Sequence, residues 1–245
     1  MIFIANFKMM LTSAATTKLV NENLPSYKEL AAAHTIILCP STIALADLSR
    51  TLTNTSIKLG AQTCGAATAG AFTGEISAAD LVEYDVTYCL VGHSERRTLF
   101  HETDDLVAIK TNVLIQHQIT PVVCVGETLD QYKNNLTLDV LERQISYVLD
   151  RLNNNSQPIL IAYEPVWAIG SGLVPTQEQL SFIFASLAKI IEKKSPNLRY
   201  KLLYGGSVSS KTIKILSHIE PLDGFLIGGA SLDFQEFKKI VDYFN

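Results

Sequence analysis

The sequence predicts a single-domain α/β fold, a closed (β/α)8 barrel spanning residues 1–245, on three observations. Eight short runs rich in Ile, Val and Leu recur along the chain, spaced about 30 residues apart, the length of one βαβ step. The runs are nearly continuous rather than alternating, as in parallel strands covered on both faces. A length of 245 residues also suits one α/β barrel without a second domain. An open doubly wound sheet is the rival, and it usually has fewer strands.

In chain order the predicted strands are IFIA (2–5), TIILC (35–39), KLGAQ (58–62), VTYCLV (86–91), PVVCV (121–125), PILIAY (158–163), KLLYG (201–205) and GFLIG (224–228). The first stops at Asn6, the fourth at Gly92, and the sixth at Glu164 followed at once by Pro165. Amphipathic stretches alternate with them. In LDVLERQISYVLDRL (138–152), Val140, Leu141, Ile145, Val148, Leu149 and Leu152 fall on one helical face. No internal repeat, low-complexity segment or linker divides the chain.

The composition is 47% hydrophobic and 18% charged, with 13 Gly and 8 Pro, which is globular. A net charge of −4 without clustered basic residues leaves no footprint for nucleic acid or an anionic membrane. An anionic substrate must therefore be held by local groups. Cys39, Cys64, Cys89 and Cys124 show no C-x-x-C and no His at metal spacing. Free thiols in a reducing cytosol are expected, although three disulfide pairings remain formally open. The N-terminal MIFIANFK reaches Asn6 and Lys8 too soon for a signal-peptide core, and no 18-residue apolar run occurs. The expectation is a cytoplasmic protein.

In a barrel, chemistry sits where strands hand over to loops at their C-terminal ends. Asn6 and Lys8, two residues apart, are expected on one side of the first strand. A lysine aimed into a barrel mouth needs an anion, but Lys8 alone reads equally as one snorkelling to solvent. In VGHSERR (91–97), Gly92 permits a turn, His93 ends the strand and Ser94 and Glu95 open a helix. The helix's positive end disfavours imidazolium, so His93 is expected neutral and able to donate to a carbonyl oxygen. Taken alone it reads more often as a satisfied structural histidine, and its place at a strand end is what favours the site.

Glu164 ends a buried strand, where a carboxylate without a partner is costly. Partial desolvation makes such a group a better proton acceptor, which suits a general base. YGGSV (204–208) and LIGGAS (226–231) place glycine pairs after the last two strands. A lone Gly-Gly is usually a turn, but two at these strand ends match the phosphate site of barrels.

With these residues assembled, the chain closely resembles the triosephosphate isomerase family. NFKM (6–9), GAFTGEIS (70–77), VGHSERR (91–97), CVGE (124–127), AYEPVWAIGSG (162–172), YGGSV (204–208) and GFLIGGASL (224–232) match that family's motifs in order along the whole length. The resemblance implies interconversion of D-glyceraldehyde 3-phosphate and dihydroxyacetone phosphate through an enediolate, in glycolysis and gluconeogenesis. Glu164 is implied as the base, His93 as the electrophile, and Lys8 as the cation with Asn6 beside it. Glu95 supports the Lys8 region. Gly170, Ser207, Gly228 and Gly229 fall at phosphate-binding positions.

No metal or organic cofactor is implied. Pro165 and Pro175 are expected to stiffen the ends of a lid in which Val166, Trp167 and Ile169 exclude water; the alternative is an apolar loop packed on a neighbouring helix. A homodimer is implied through the loop around Phe72 and Thr73, although a loop packed on its own chain is the alternative. Phe7, Met10, Thr63 and Ser171 depart from the family's commoner Trp, Asn, Asn and Thr. Met10 and Thr63 put the strength of the dimer in question.

Overall fold

Each apolar run forms a strand in a computed structural model that describes residues 1–152, 157–171 and 173–245. Gly172, the last residue of AYEPVWAIGSG, lies outside the described residues. The strands are β1 (Ile2–Asn6), β2 (Thr35–Cys39), β3 (Lys58–Ala61), β4 (Val86–Val91), β5 (Thr120–Val125), β6 (Ile159–Tyr163), β7 (Tyr200–Tyr204) and β8 (Gly224–Ile227). They pair in parallel in sequence order, and β1 pairs β8 to close the barrel, with Ile2 opposite Gly224 and Ala5 opposite Ile227. The open-sheet alternative is excluded.

The helices are α1 (Ser13–Ala33), α2 (Leu45–Leu52), α3 (Ala78–Glu83), α4 (Ser94–Leu99), α5 (Asp104–Gln116), α6 (Leu129–Lys133), α7 (Thr137–Leu149), α8 (Gln177–Lys194), α9 (Ile213–Leu216) and α10 (Phe234–Asp242). Side-chain oxygens accept from backbone N–H groups of the first turn at Thr12, Ser77, Thr103, Thr128, Thr176 and Asp233. Such caps fix where each strand-to-helix connection ends and the helix begins. The α7 helix is shorter than the 138–152 pattern. The N–H groups of Arg151 and Leu152 bond three residues back, to Val148 and Leu149, a tightened turn that leaves Leu152 beyond the helix. Of the predicted face, Val140, Leu141, Ile145, Val148 and Leu149 are buried.

Strand alternation sorts the apolar residues into two layers. Ile4, Ile37, Cys39, Leu90, Val122, Cys124, Leu160, Ala162, Leu203 and Leu226 fill the barrel interior. The larger outer layer, including Phe3, Leu38, Val123, Ile161 and Phe225, packs against the helices. The period of two carries the inward rows on to the mouth: Ile4 is followed by Asn6, Ala162 by Glu164, Leu203 by Gly205 and Leu226 by Gly228. Residues that fill the barrel thus give way to residues that line its opening. The four cysteines are buried free thiols, and burial pushes Cys39, Cys89 and Cys124 above the usual thiol range. Among the described residues no helix is long and apolar enough to cross a membrane.

Candidate active site

A cavity of about 670 Å³ opens at the C-terminal end of the strands, lined by Asn6, Lys8, His93, Glu95, Glu164, Gly170, Ser207, Gly228 and Gly229 together with other residues. Every predicted site residue therefore faces one opening.

Lys8 reaches it by a different route from the expected strand alternation. β1 ends at Asn6, and Lys8 has φ +50°, a left-handed backbone uncommon in non-glycine residues. The conformation is held from both sides. The Lys8 N–H donates to Asn6 Oδ1 at 3.0 Å, and the Gln62 amide donates to the Lys8 carbonyl at 2.8 Å and the Cys39 carbonyl at 3.0 Å. Gln62 lies just outside β3, although KLGAQ suggested a strand residue. The Lys8 ammonium pairs with Glu95 Oε1 at 2.6 Å.

His93 follows β4 and is the N-cap of α4, so Ser94 is the first helical residue and does not cap it. Its Nδ1 accepts the Glu95 N–H at 3.3 Å. An accepting Nδ1 puts the ring proton on Nε2, the nitrogen 3.1 Å from Glu164 Oε1. That fixes one neutral tautomer with its donor directed to the cavity side.

Glu164 follows β6 and is 2% exposed. Oε2 accepts the Ser94 N–H at 2.9 Å, whereas Oε1 has no hydrogen-bond partner. The 3.1 Å approach of His93 Nε2 is thus a contact out of line for a hydrogen bond, and with His93 neutral it is no ion pair. The Glu164 carboxylate is thus buried and held in place with one oxygen free of hydrogen bonds. Its seat depends on two glycines. A Cβ on Gly126 would stand 1.7 Å from the Glu164 carbonyl oxygen, and one on Gly205 would stand 2.9 Å from its Cγ. Gly126 had no reading of its own in the sequence, because its neighbour is reached only across the sheet.

The lid is partly as expected. Ile169 and Gly170, with φ +68°, line the cavity. Val166 and Trp167 do not. The Trp167 ring stacks on Tyr132 of α6 at 4.4 Å, and its Nε1 donates to Glu127 Oε1 at 2.8 Å. Trp167 is an anchor here, with only Ile169 of the three turned to the opening. Glu127 is fully buried and also accepts from Tyr163 Oη at 3.1 Å. Burial pushes its carboxyl above the usual range, although the Trp167 and Tyr163 donors oppose this. Ser207 Oγ donates to the Ala168 carbonyl at 2.6 Å, so the loop after β7 and the lid are joined. Gly228 and Gly229 follow β8 beside the Lys8 side chain, whose Cε lies 3.2 Å from where a Gly228 Cβ would be.

Among the described residues no cluster of His, Cys, Asp or Glu is arranged to hold a metal ion. The cavity instead presents the Glu164 carboxylate, an imidazole N–H donor, the Lys8–Glu95 ion pair, the Lys211 ammonium and a glycine-lined wall. That set suits proton transfer beside a carbonyl in a small anionic molecule.

The family model described as triosephosphate isomerase matches residues 1–244. A protein of Thermodesulfovibrio yellowstonii named triosephosphate isomerase is 40% identical over 244 residues, covering 98% of each chain. One of the same name from Clostridium tetani is 38% identical over 248 residues, covering 99% of this chain and 96% of the relative. A third, from Endomicrobium trichonymphae, is 42% identical over 213 residues, covering 85% and 84%.

Proposed function

Because the chain belongs to the triosephosphate isomerase family and interconverts D-glyceraldehyde 3-phosphate and dihydroxyacetone phosphate, a step of glycolysis, we propose that Glu164 is its proton-transferring base. The free, buried Oε1 carries this reading. Glu164 removes a proton from the carbon beside the carbonyl and returns it to the neighbouring carbon, while the hydroxyl proton passes from one enediolate oxygen to the other by way of His93 Nε2, so that carbonyl and hydroxyl exchange places. The electron pair left behind becomes the enediolate, whose oxygens take the Nε2–H of His93 and the Lys8 ammonium, with Asn6 beside them. Gly170, Ser207, Gly228 and Gly229 hold the phosphate, which keeps the reacting carbons in register with the carboxylate. Glu95 keeps Lys8 aimed. No metal or organic cofactor enters these steps. The same chemistry serves gluconeogenesis in the reverse direction.

Isomerisation in deuterium oxide tests this mechanism. Product is expected to carry solvent deuterium on the carbon beside the carbonyl, because a carboxyl proton exchanges with water while the enediolate exists. Product free of deuterium under all conditions would sink the enediolate route.

The reading extends to the assembly. The whole chain, residues 1–245, is taken as one domain acting as a homodimer through the loop around Phe72 and Thr73. Met9, Ile43 and Phe72 are 93%, 83% and 54% exposed, and they lie in the loops after β1, β2 and β3, three neighbouring strands. A run of large apolar side chains along one side of a mouth favours a protein partner over solvent. Phe72→Asp is expected to weaken dimerisation by at least about thirtyfold, as for an interface anchor. Sedimentation velocity across a dilution series measures it; a wild-type monomer, or an unchanged variant, refutes the dimer through this loop. Four buried free thiols support a reducing, cytoplasmic location. The reading includes neither a nucleic-acid nor a membrane partner.

A further inference from the structure

The ionisable side chains lining the cavity include a lysine that the chemistry above does not use. Beside His93 these are two lysines, Lys8 and Lys211, and two carboxylates, Glu95 and Glu164. Lys8 is neutralised by Glu95 at 2.6 Å. With His93 neutral, Glu164 and Lys211 remain, and without Lys211 the lining would carry a net negative charge toward an incoming anionic ester. The chain as a whole, at −4, gives that ester no long-range attraction.

Lys211 is exposed at the cavity rim and has no ion-pair partner among the described residues. Its turn is held firmly. Ser209 N–H donates to Thr212 Oγ1 at 2.9 Å, and Thr212 Oγ1 donates to the Ser207 carbonyl at 3.1 Å. Ser210 donates to Glu236 of α10 through both its N–H and its hydroxyl, at 2.8 and 3.0 Å. Both Glu236 oxygens thus hold the residue before Lys211 in place. The turn begins at Ser207, so the lysine stands at the phosphate-holding end of the cavity.

On the functional reading above, we infer that Lys211 is a specificity residue, a rim cation that captures the phosphate of the substrate before the glycine-lined wall takes it up. Its charge acts on encounter and ground-state binding, not on the enediolate, so KM and kcat separate. A unit charge at the rim, about 10 Å from a dianion, corresponds at low salt to about a threefold change in binding.

The test compares the wild-type protein with Lys211→Met and Lys211→Arg. Isomerisation kinetics and competitive inhibition by inorganic phosphate are measured at about 10 mM and about 500 mM ionic strength. For Lys211→Met at low salt, KM and the phosphate inhibition constant are expected to rise together about threefold with kcat unchanged. The gap closes at high salt, and Lys211→Arg behaves as wild type. An unchanged KM and inhibition constant at low salt overturns the inference. So does a KM shift that persists at high salt or that Lys211→Arg fails to repair, since either marks a role of shape. Direct calorimetric binding of inorganic phosphate keeps the two readings apart. Loss of turnover chemistry in the wild type would refute the isomerase mechanism, while a salt-dependent phosphate affinity that falls in Lys211→Met would still uphold the capture site.

Discussion

Glu164→Gln is expected to lower kcat by about 10³- to 10⁴-fold while the protein keeps its fold and its affinity for inorganic phosphate. The amide preserves shape and can still accept the Ser94 N–H that now bonds Oε2, so the substitution removes basicity and little else. The free Oε1, the only atom of that group without a hydrogen-bond partner, is what the change abolishes. Glu164→Asp isolates position from basicity. It keeps the carboxylate but withdraws it by one methylene from the seat formed by Gly126 and Gly205, and a displacement of about 1 Å is expected to cost about 10² in kcat. Steady-state kinetics with a coupled assay reads both. Full activity in either variant would remove Glu164 from the role of base.

The largest stability effect is expected away from the mouth, at Glu102. Its carboxylate and the Lys110 ammonium are both buried and meet at 2.6 Å. Arg96 of α4 also pairs with Glu102, and Lys110 further donates to Thr63 Oγ1 at 3.2 Å. Glu102→Gln leaves a buried ammonium without its counter-charge, which is expected to cost about 3–5 kcal/mol. In a chain of this size the midpoint of thermal unfolding should fall by roughly 10 °C. The double variant Glu102→Gln, Lys110→Met should recover most of the loss, because no fully buried charge is then left uncompensated and Arg96, with its side chain 26% exposed, can be solvated. Calorimetry of the set checks it; equal melting of Glu102→Gln and wild type would show that the pair contributes nothing.

The pH dependence has a definite sign. Burial alone would raise the Glu102 carboxyl, but hydrogen bonds and charges from Lys110 and Arg96 outweigh it and hold the group below the ordinary carboxylate range. The stability it contributes is therefore complete above the ordinary carboxylate value. It fades as pH falls through the depressed one.

Much of this architecture could be read from residue order, because the barrel strands are short and nearly continuous in apolar residues, several of them ended by a local signal such as Asn6, Gly92 or Pro165. The inward rows obey a strict period, which is why Asn6 and Glu164 were legible as mouth residues. Lys8 shows where that logic stops. It lies past the strand in a left-handed backbone held by Gln62, a contact 54 residues away that no local pattern announces. Trp167 was expected as part of a cover because its loop is apolar, yet its polar N–H finds the buried Glu127 and its ring finds Tyr132. A lone indole in a glycine-bounded loop carries no sign of that pairing. Gly126 and Lys211 were silent for the same reason, since one is constrained by the next strand and the other is placed by a turn tied to α10. Thr63 departs from the commoner Asn, and its hydroxyl accepts from Lys110.

Closure of the barrel by β1 and β8 has a consequence for synthesis on the ribosome. Ile2 cannot meet Gly224 until nearly the whole polypeptide has been made. At 5–20 residues per second that is a wait of roughly 10 to 45 s. During this interval the β1 flank that will meet β8 is an open strand edge, the kind that recruits foreign strands. Asn6 and Lys8 meet Gly228 only after the wait ends, so a nascent chain stalled before β8 would be both sticky and inert.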